Sequence, residues 1–310
     1  MKRFIVSPSP FIKTKTNSTY FIEQKSLILI FLLAVSVIIL GGYPLLIAGI
    51  SILSALVFEL LYNVIAQDSF SVENGSFLVV GLVFALLCGA NTPFYIPIIG
   101  VGFGIIFIKM MFGGYSNNVF NIPAVGFLFV ALLFKSTYAE WGNLNTVGFA
   151  RNSYEMISSG KDIVIDWFDM FKGQTNTGFG ALSFVLVLIV GFYLITARVI
   201  DFKMPIIAVI VCGLMGVILS GFNIMMLPAY VLAGNFLFVS FIMLTDFATS
   251  PNTSWGQIVY AIIFGLLCSV VIRFNIWGDV GIIVALIISN AFTPLIDRVI
   301  RQRYFGEGRR

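Results

Sequence analysis

Residues 26–66 read SLILIFLLAVSVIILGGYPLLIAGISILSALVFELLYNVIA, with Glu59 as the one charged residue. A helix needs about 20 apolar residues to cross a bilayer core. The stretch reads as two segments of that size, 26–43 and 45–66. It starts behind a basic segment, lacks a small-residue cleavage site and is followed by more apolar runs, so it reads as spans and not as a removable signal.

Working outward, ten apolar segments follow one another: 26–43, 45–66, 76–92, 94–112, 122–137, 179–197, 204–221, 227–247, 255–274 and 277–296. Between the fifth and sixth lies the one long polar stretch, 138–178, with Glu140, Arg151, Glu155, Lys161, Asp162, Asp166, Asp169 and Lys172. The expected fold is all-α and polytopic, with about ten transmembrane helices. The expected organisation is an N-terminal segment 1–25, a first half 26–137, a loop 138–178, a second half 179–297 and a basic tail 298–310. Five spans per half would invert one half relative to the other, as in many transport folds. No sequence repeat accompanies the count.

With ten spans, thirteen Lys and Arg fall on the side of the termini and five on the other. Lys/Arg bias marks the cytoplasmic side. The termini are therefore expected in the cytoplasm and the loop outside the membrane.

Composition agrees. The chain has 310 residues, 59% hydrophobic and 10% charged, with a mean hydropathy of +1.02. Soluble domains run at about 45–50% apolar and about 25% charged. Histidine is absent, which removes the usual zinc and haem ligand and the usual base at neutral pH. Cys88, Cys212 and Cys268 lie far apart in apolar runs and form no CxxC pair, so they read as small core residues and no metal site is expected. The net charge of +4 is dispersed and carries no nucleic-acid footprint. No nucleophile–base pair or phosphate-binding loop appears, so no catalytic residue is assigned.

Charges inside spans are informative because they are expensive there. Glu59 lies one turn before Asn63, on the same face. It is either a stop on an ion pathway or a carboxylate paired to a neighbour. Asp246 closes the eighth segment as a second pathway candidate. Asp297, next to Arg298, reads as a boundary residue. Two loops are rich in small and amide residues. The first, 108–126, reads IKMMFGGYSNNVFNIPAVG: Gly113 and Gly114 permit close backbone approach, Asn117, Asn118 and Asn121 offer donors and acceptors, and Pro123 suits a helix start. The second, 245–257, reads TDFATSPNTSWGQ, with Thr245, Asp246, Thr249 and Ser250 among its polar groups. Either the two loops build a site for a planar polar ring, or they are capped turns.

At these loops the sequence resembles the RnfD/NqrB family: the RnfD subunit of the Rnf electron-transport complex and its sister, the NqrB subunit of the sodium-pumping NADH:quinone reductase. VSPSPFIKTKTN looks like the family's SPH-type start. KMMFGGYSNNVFNIPAVG looks like its GK-x-x-FGG-x-G-x-N-x-FNPA loop. GNFLFVSFIMLTDFATSPNTSWGQ looks like its FFMATDP-x-TSP-x-T-x-x-G stretch, and NAFTPLIDRVIRQRYFG like its N-x-x-x-PLID close. The resemblance implies a ten-helix subunit that works with other membrane subunits of an Rnf-like complex. It implies electron transfer through bound flavin coupled to sodium or proton movement. It also implies FMN on a threonine of a D-x-x-SGAT-like motif in the external loop, and a riboflavin in the membrane region. On this basis Gly113, Gly114, Asn118, Asn121, Thr245, Asp246, Thr249 and Ser250 are the expected flavin-binding residues, with Glu59 and Asp246 on the ion pathway.

The external loop departs from the family. Placing Asn145–Arg151 on the motif gives N-T-V-G-F-A-R, with Asn145 for the acid, Ala150 matched and Arg151 for the acceptor threonine. Arginine cannot form the ester. Further on, GQTNTGFGALS from Gly173 matches the family's G-x-x-x-GS-x-GE-x-S at Gly173, Gly180 and Ser183, while Ala181 replaces the acid; Thr146, Thr175 and Thr177 lack the SGAT context. Covalent FMN is expected to be absent and riboflavin or non-covalent FMN to remain. Arg151 is either a solvated loop residue or a bidentate partner for a flavin phosphate. A flavin-free transporter-like or structural subunit of the same fold is the competing expectation.

Overall fold

The computed structural model describes residues 18–66, 75–113, 117–135, 154, 157–158 and 178–300. Among them all regular structure is helical. The first half contains α1 (Ser18–Leu40), α2 (Tyr43–Ala66), α3 (Ser76–Leu87), α4 (Tyr95–Phe103), which continues as a π-helix over Gly104–Met110, and α5 (Ile122–Leu133). The second contains α6 (Phe184–Thr196), α7 (Lys203–Leu219), α8 (Leu227–Val231), α9 (Phe236–Phe238), which continues as a π-helix over Val239–Met243, α10 (Ser254–Phe274) and α11 (Asp279–Val299). Hydrocarbon offers the backbone no hydrogen bonds, which is why apolar runs of this kind resolve into helices.

Every apolar segment of the sequence carries helix, but the lengths differ from a uniform set of ten. Four helices are long and apolar enough to cross a membrane: Thr19–Leu40, Tyr43–Ile65, Ser254–Phe274 and Asp279–Val299. A fifth is added if Ile224–Val231 and Phe236–Met243, bent by 67°, count as one span. The chain is thus an all-helical, multi-pass membrane protein in its described residues.

Two expected spans are interrupted, and local chemistry explains both. The segment 76–92 stops being helical at Leu87. Thr92 accepts a hydrogen bond from Gly89 N–H at 3.0 Å and returns one to the Gly89 carbonyl at 2.9 Å, a side-chain turn that competes with helix. The segment 227–247 breaks at Leu232–Asn235. Gly234 takes φ +49, and a Cβ there would collide with the Tyr154 hydroxyl and the Asp279 carboxylate. That carboxylate accepts from Asn235 N–H at 2.9 Å and from Tyr154 at 2.7 Å, so it holds the bend.

These two interrupted elements form the centre. Residues 79–87 and 233–246 are buried without a break. A helix apolar and buried all round is enclosed by protein. By contrast α1 and α2 carry outward apolar residues such as Ile38, Val64 and Ile65. The C-terminal end of α3 and the start of α9 meet one turn: Phe179 N–H donates to the Cys88 carbonyl at 2.9 Å, and Gly178 N–H to the Asn235 side chain at 3.3 Å. At the other end Val79 and Val80 of α3 face Ile242, Met243 and Asp246. The two central elements therefore run antiparallel. Around them α2 packs on α3, α4 on α5, α7 on α10 and α10 on α11, while α5 meets α11 across the halves. At the α4–α5 contact a Cβ on Gly126 would collide with the Gly100 carbonyl; small residues allow helices to approach this closely.

Candidate functional site

Two buried lysine–carboxylate pairs lie at the N-terminal end of α3. Glu59 of α2 meets Lys109, on the π-helix after α4, at 2.7 Å, and Lys109 donates to Ser76 Oγ at 2.8 Å. Lys25 of α1 meets Asp246 Oδ1 at 2.9 Å. Asp246 Oδ2 accepts from Asn121 Nδ2 at 3.4 Å. Lys25, Lys109 and Asp246 are each 5% exposed or less. An isolated charge is very costly at such depth, so each carboxylate needs its cation. Glu59 thus has the neighbour that one of its two readings required.

Both pairs involve π-helical backbone. Lys109 lies within one π-helix, and Asp246 follows the other by three residues. Leu244 N–H bonds back five residues to the Val239 carbonyl at 2.8 Å. Such a wide turn shifts the facing of everything after it, and π-segments recur at functional positions.

The two polar loops prove to be both capped turns and neighbours. Asn121 caps α5, accepting from Ala124 N–H at 3.2 Å with Pro123 in the first turn. Thr253 caps α10, accepting from Gly256 N–H at 3.0 Å. Yet Asn121 and Asp246 also meet across the halves. Of the other expected flavin residues, Gly113 has φ +87 at the end of the first π-helix. Asn118 is buried with its Nδ2 on the Phe120 carbonyl. Thr249 is buried, and its carbonyl accepts from Thr293 at 2.9 Å. Gly114 and Arg151 lie outside the described residues. Asp297 accepts from Asn252 N–H at 3.2 Å at an exposed position.

Thr245 and Ser250 line an open groove of about 440 Å³, together with Phe21, Phe202, Phe247, Arg198, Asp201 and Gln257. That volume is in the usual range for a ligand site, roughly 300–1,000 Å³. The Phe21 and Phe247 rings sit 6.2 Å apart at its wall. Gln257 Oε1 is buried without a hydrogen-bond partner. Arg198 stands just beyond α6 at φ 55, where helix ends usually place glycine. A second void of about 10 Å³ lies against Lys25, Asn121 and Asp246. The two spaces are lined by different residues that are close in the chain: Phe21 and Lys25 are one turn apart on α1, and Thr245 and Asp246 are adjacent.

Sequence reasoning did not single out Lys25, Lys109, Phe21, Arg198 or Gln257. The available signal was weak: a lysine flanked by apolar residues, as in IFIKMMF, where either a membrane boundary or an interior cation fits. Among the described residues no group of three or more metal-ligating side chains occurs, and the three cysteines are buried and free.

The model of the NQR2, RnfD, RnfE family matches residues 5–306. The RnfD-type subunit of the Na(+)-translocating ferredoxin:NAD(+) oxidoreductase complex of Acetobacterium woodii is 26% identical over 306 residues, covering 97% of this chain and 95% of its own. The corresponding subunit of an ion-translocating oxidoreductase complex of Methanosarcina acetivorans is 28% identical, covering 96% and 95%. The NqrB-type subunit of the Na(+)-translocating NADH-quinone reductase of Pseudoalteromonas atlantica is 26% identical, covering 74% of this chain and 60% of its own.

Proposed function

The chain belongs to the NQR2, RnfD, RnfE family, and from that premise we propose that it is a membrane subunit of an Rnf-type ion-translocating oxidoreductase complex. In this proposal it holds a non-covalent flavin and couples electron transfer to movement of sodium or protons. Its partners are the other membrane subunits of that complex. The carrying observation is proximity: Phe21 of the cavity lies one turn before Lys25 of the buried pair on α1, and Thr245 of the cavity is adjacent in the chain to Asp246.

The residues present fit a flavin. Phe21 and Phe247 offer apolar walls to its ring, and Thr245, Ser250 and Gln257 polar lining. Arg198 would hold a phosphate or ribityl oxygen. When bound, a flavin supplies one- and two-electron transfer. The protein's own part is to bind and orient the ring, to keep it beside the Lys25–Asp246 pair and to exclude water from that pair. Of the two candidate carboxylates we assign Asp246 to the ion pathway, because it joins the halves beside the cavity. Glu59 serves as the partner of Lys109.

We place the termini and the cavity on the cytoplasmic side, from the Lys/Arg bias, with ten spans as an inverted five-plus-five. The matching burial of the third element in each half supports that arrangement. Interrupted central helices also occur in transport folds, and this favours the competing reading, a flavin-free transporter-like subunit. Visible absorption and intact mass of the purified complex separate the two. We expect flavin absorbance that is released on denaturation and a chain at its sequence mass of 34.2 kDa. A colourless, fully assembled complex would favour the transporter-like reading. An FMN adduct on the chain would refute the loss of the covalent anchor.

A further inference from the structure

The break at Leu232–Asn235 is gripped by residues of the polar stretch 138–178. Asp279 Oδ1, at the start of α11, accepts from Asn235 N–H at 2.9 Å and from the Tyr154 hydroxyl at 2.7 Å. The Asn235 side chain accepts from Gly178 N–H at 3.3 Å. Two places of the polar stretch, 24 residues apart in the chain, thus bear on one residue of the break. Loops normally run over the surface, but Tyr154 is 5% exposed and Ile157 1%. The Arg273 guanidinium donates to the Ile157 carbonyl. This piece of the loop is therefore packed into the second half.

Gly234 supplies the seat. It takes φ +49, and a Cβ on it would collide with the Tyr154 hydroxyl and with the Asp279 carboxylate. Its missing side chain leaves room for that hydroxyl, and its backbone re-bends at little steric cost. The element that starts at Asn235 runs through the π-helix Val239–Met243 to Asp246 and is buried throughout. One end of it meets the polar stretch and the other meets Lys25.

We propose that Tyr154 is a latch through which the polar loop sets the bend of the central element. With its hydroxyl on Asp279 over Gly234, the break is fixed. When the hydroxyl withdraws, the Asn235 end of the element is freed to re-bend at Gly234. Hinges absorb their motion in a few such residues. The coupling is reciprocal: whatever draws the loop away loosens the break, and re-bending of the break expels the loop. The latch stands on the geometry of the break and holds whether or not the groove binds a flavin.

The test uses the whole complex with a single cysteine reporter, Ile157→Cys in the loop or Ala233→Cys at the break, positions at most 1% exposed. The rate of labelling by a small water-soluble methanethiosulfonate is read by mass. Native Cys268, fully buried on α10, is the control. Tyr154→Phe keeps the ring and removes the hydroxyl. It is expected to raise labelling of both reporters in parallel, by roughly fivefold for the loss of one hydrogen bond, with Cys268 unchanged. Gly234→Ala fills the seat and is expected to raise both by more. A rise at Ile157→Cys alone makes the loop a passive cover and overturns the proposal. So does no rise at either reporter, or an equal rise at Cys268, which marks general loosening. If Gly234→Ala does not assemble, Tyr154→Phe decides alone, since it preserves the packed ring.

Discussion

The two buried lysine–carboxylate pairs share a chemistry and differ in surroundings. Glu59 and Lys109 both come from the first half, and Ser76 of the same half takes a further hydrogen bond. Lys25 and Asp246 are 221 residues apart and join the halves. The first pair closes on itself. The second lies beside a void, takes a weak third partner from Asn121, and has chain neighbours, Phe21 and Thr245, in the lining of the large cavity. The two pairs thus share their chemistry and differ in the space around them and in whether they join the halves.

The contrast can be broken experimentally, starting with the largest effect. Asp246→Leu leaves the Lys25 ammonium buried and unpaired, with an expected cost of about 3–5 kcal/mol, visible as poor assembly and a lowered thermal midpoint, and with loss of ion uptake. Replacing the first pair as a whole, Glu59→Leu with Lys109→Met, is expected to change stability little or raise it by about 1–4 kcal/mol and to leave ion uptake intact. If uptake is lost in that double variant, Glu59 is more than a clamp. Gln257→Leu removes a polar residue from the lining of the cavity and is expected to reduce retained flavin by roughly tenfold, about 1.4 kcal/mol, within the range for one hydrogen bond, without changing the thermal response of either pair. Flavin released per mole of complex measures it. Ser76→Ala removes one hydrogen bond from Lys109 and is expected to cost about 0.5–1.5 kcal/mol, seen as a small drop in midpoint with unchanged flavin content.

Much of the fold was legible in the chain, because apolar run length is a direct consequence of bilayer thickness. The break at Leu232–Asn235 was not. Gly234 and Asn235 are turn-forming residues inside an otherwise apolar run, but the bend itself depends on Asp279, which arrives from another helix. The stop at Leu87 was visible only as Thr92 before Pro93. The site was half legible. Asn121 and Asp246 stand out in the sequence and do meet. Thr245 and Ser250 line one space, whereas Asp246 and Asn121 line another. The two loops thus meet at Asn121 and Asp246, and Thr245 and Ser250 of the second loop line the neighbouring cavity. Lys25 and Lys109 look like boundary charges in the sequence, since an interior lysine and a boundary lysine have the same apolar flanks.

By itself the sequence determined that this chain is a bundle of apolar helices divided by one polar loop, with its few charges worth tracking. That follows from transfer free energies, which are summed residue by residue along the chain. Only the tertiary structure decided which cation neutralises which carboxylate, where the central helices break, and that the cavity lies next to the Lys25–Asp246 pair. Those outcomes depend on the facing of groups far apart in sequence, and each π-turn resets that facing in a way that no local hydropathy records.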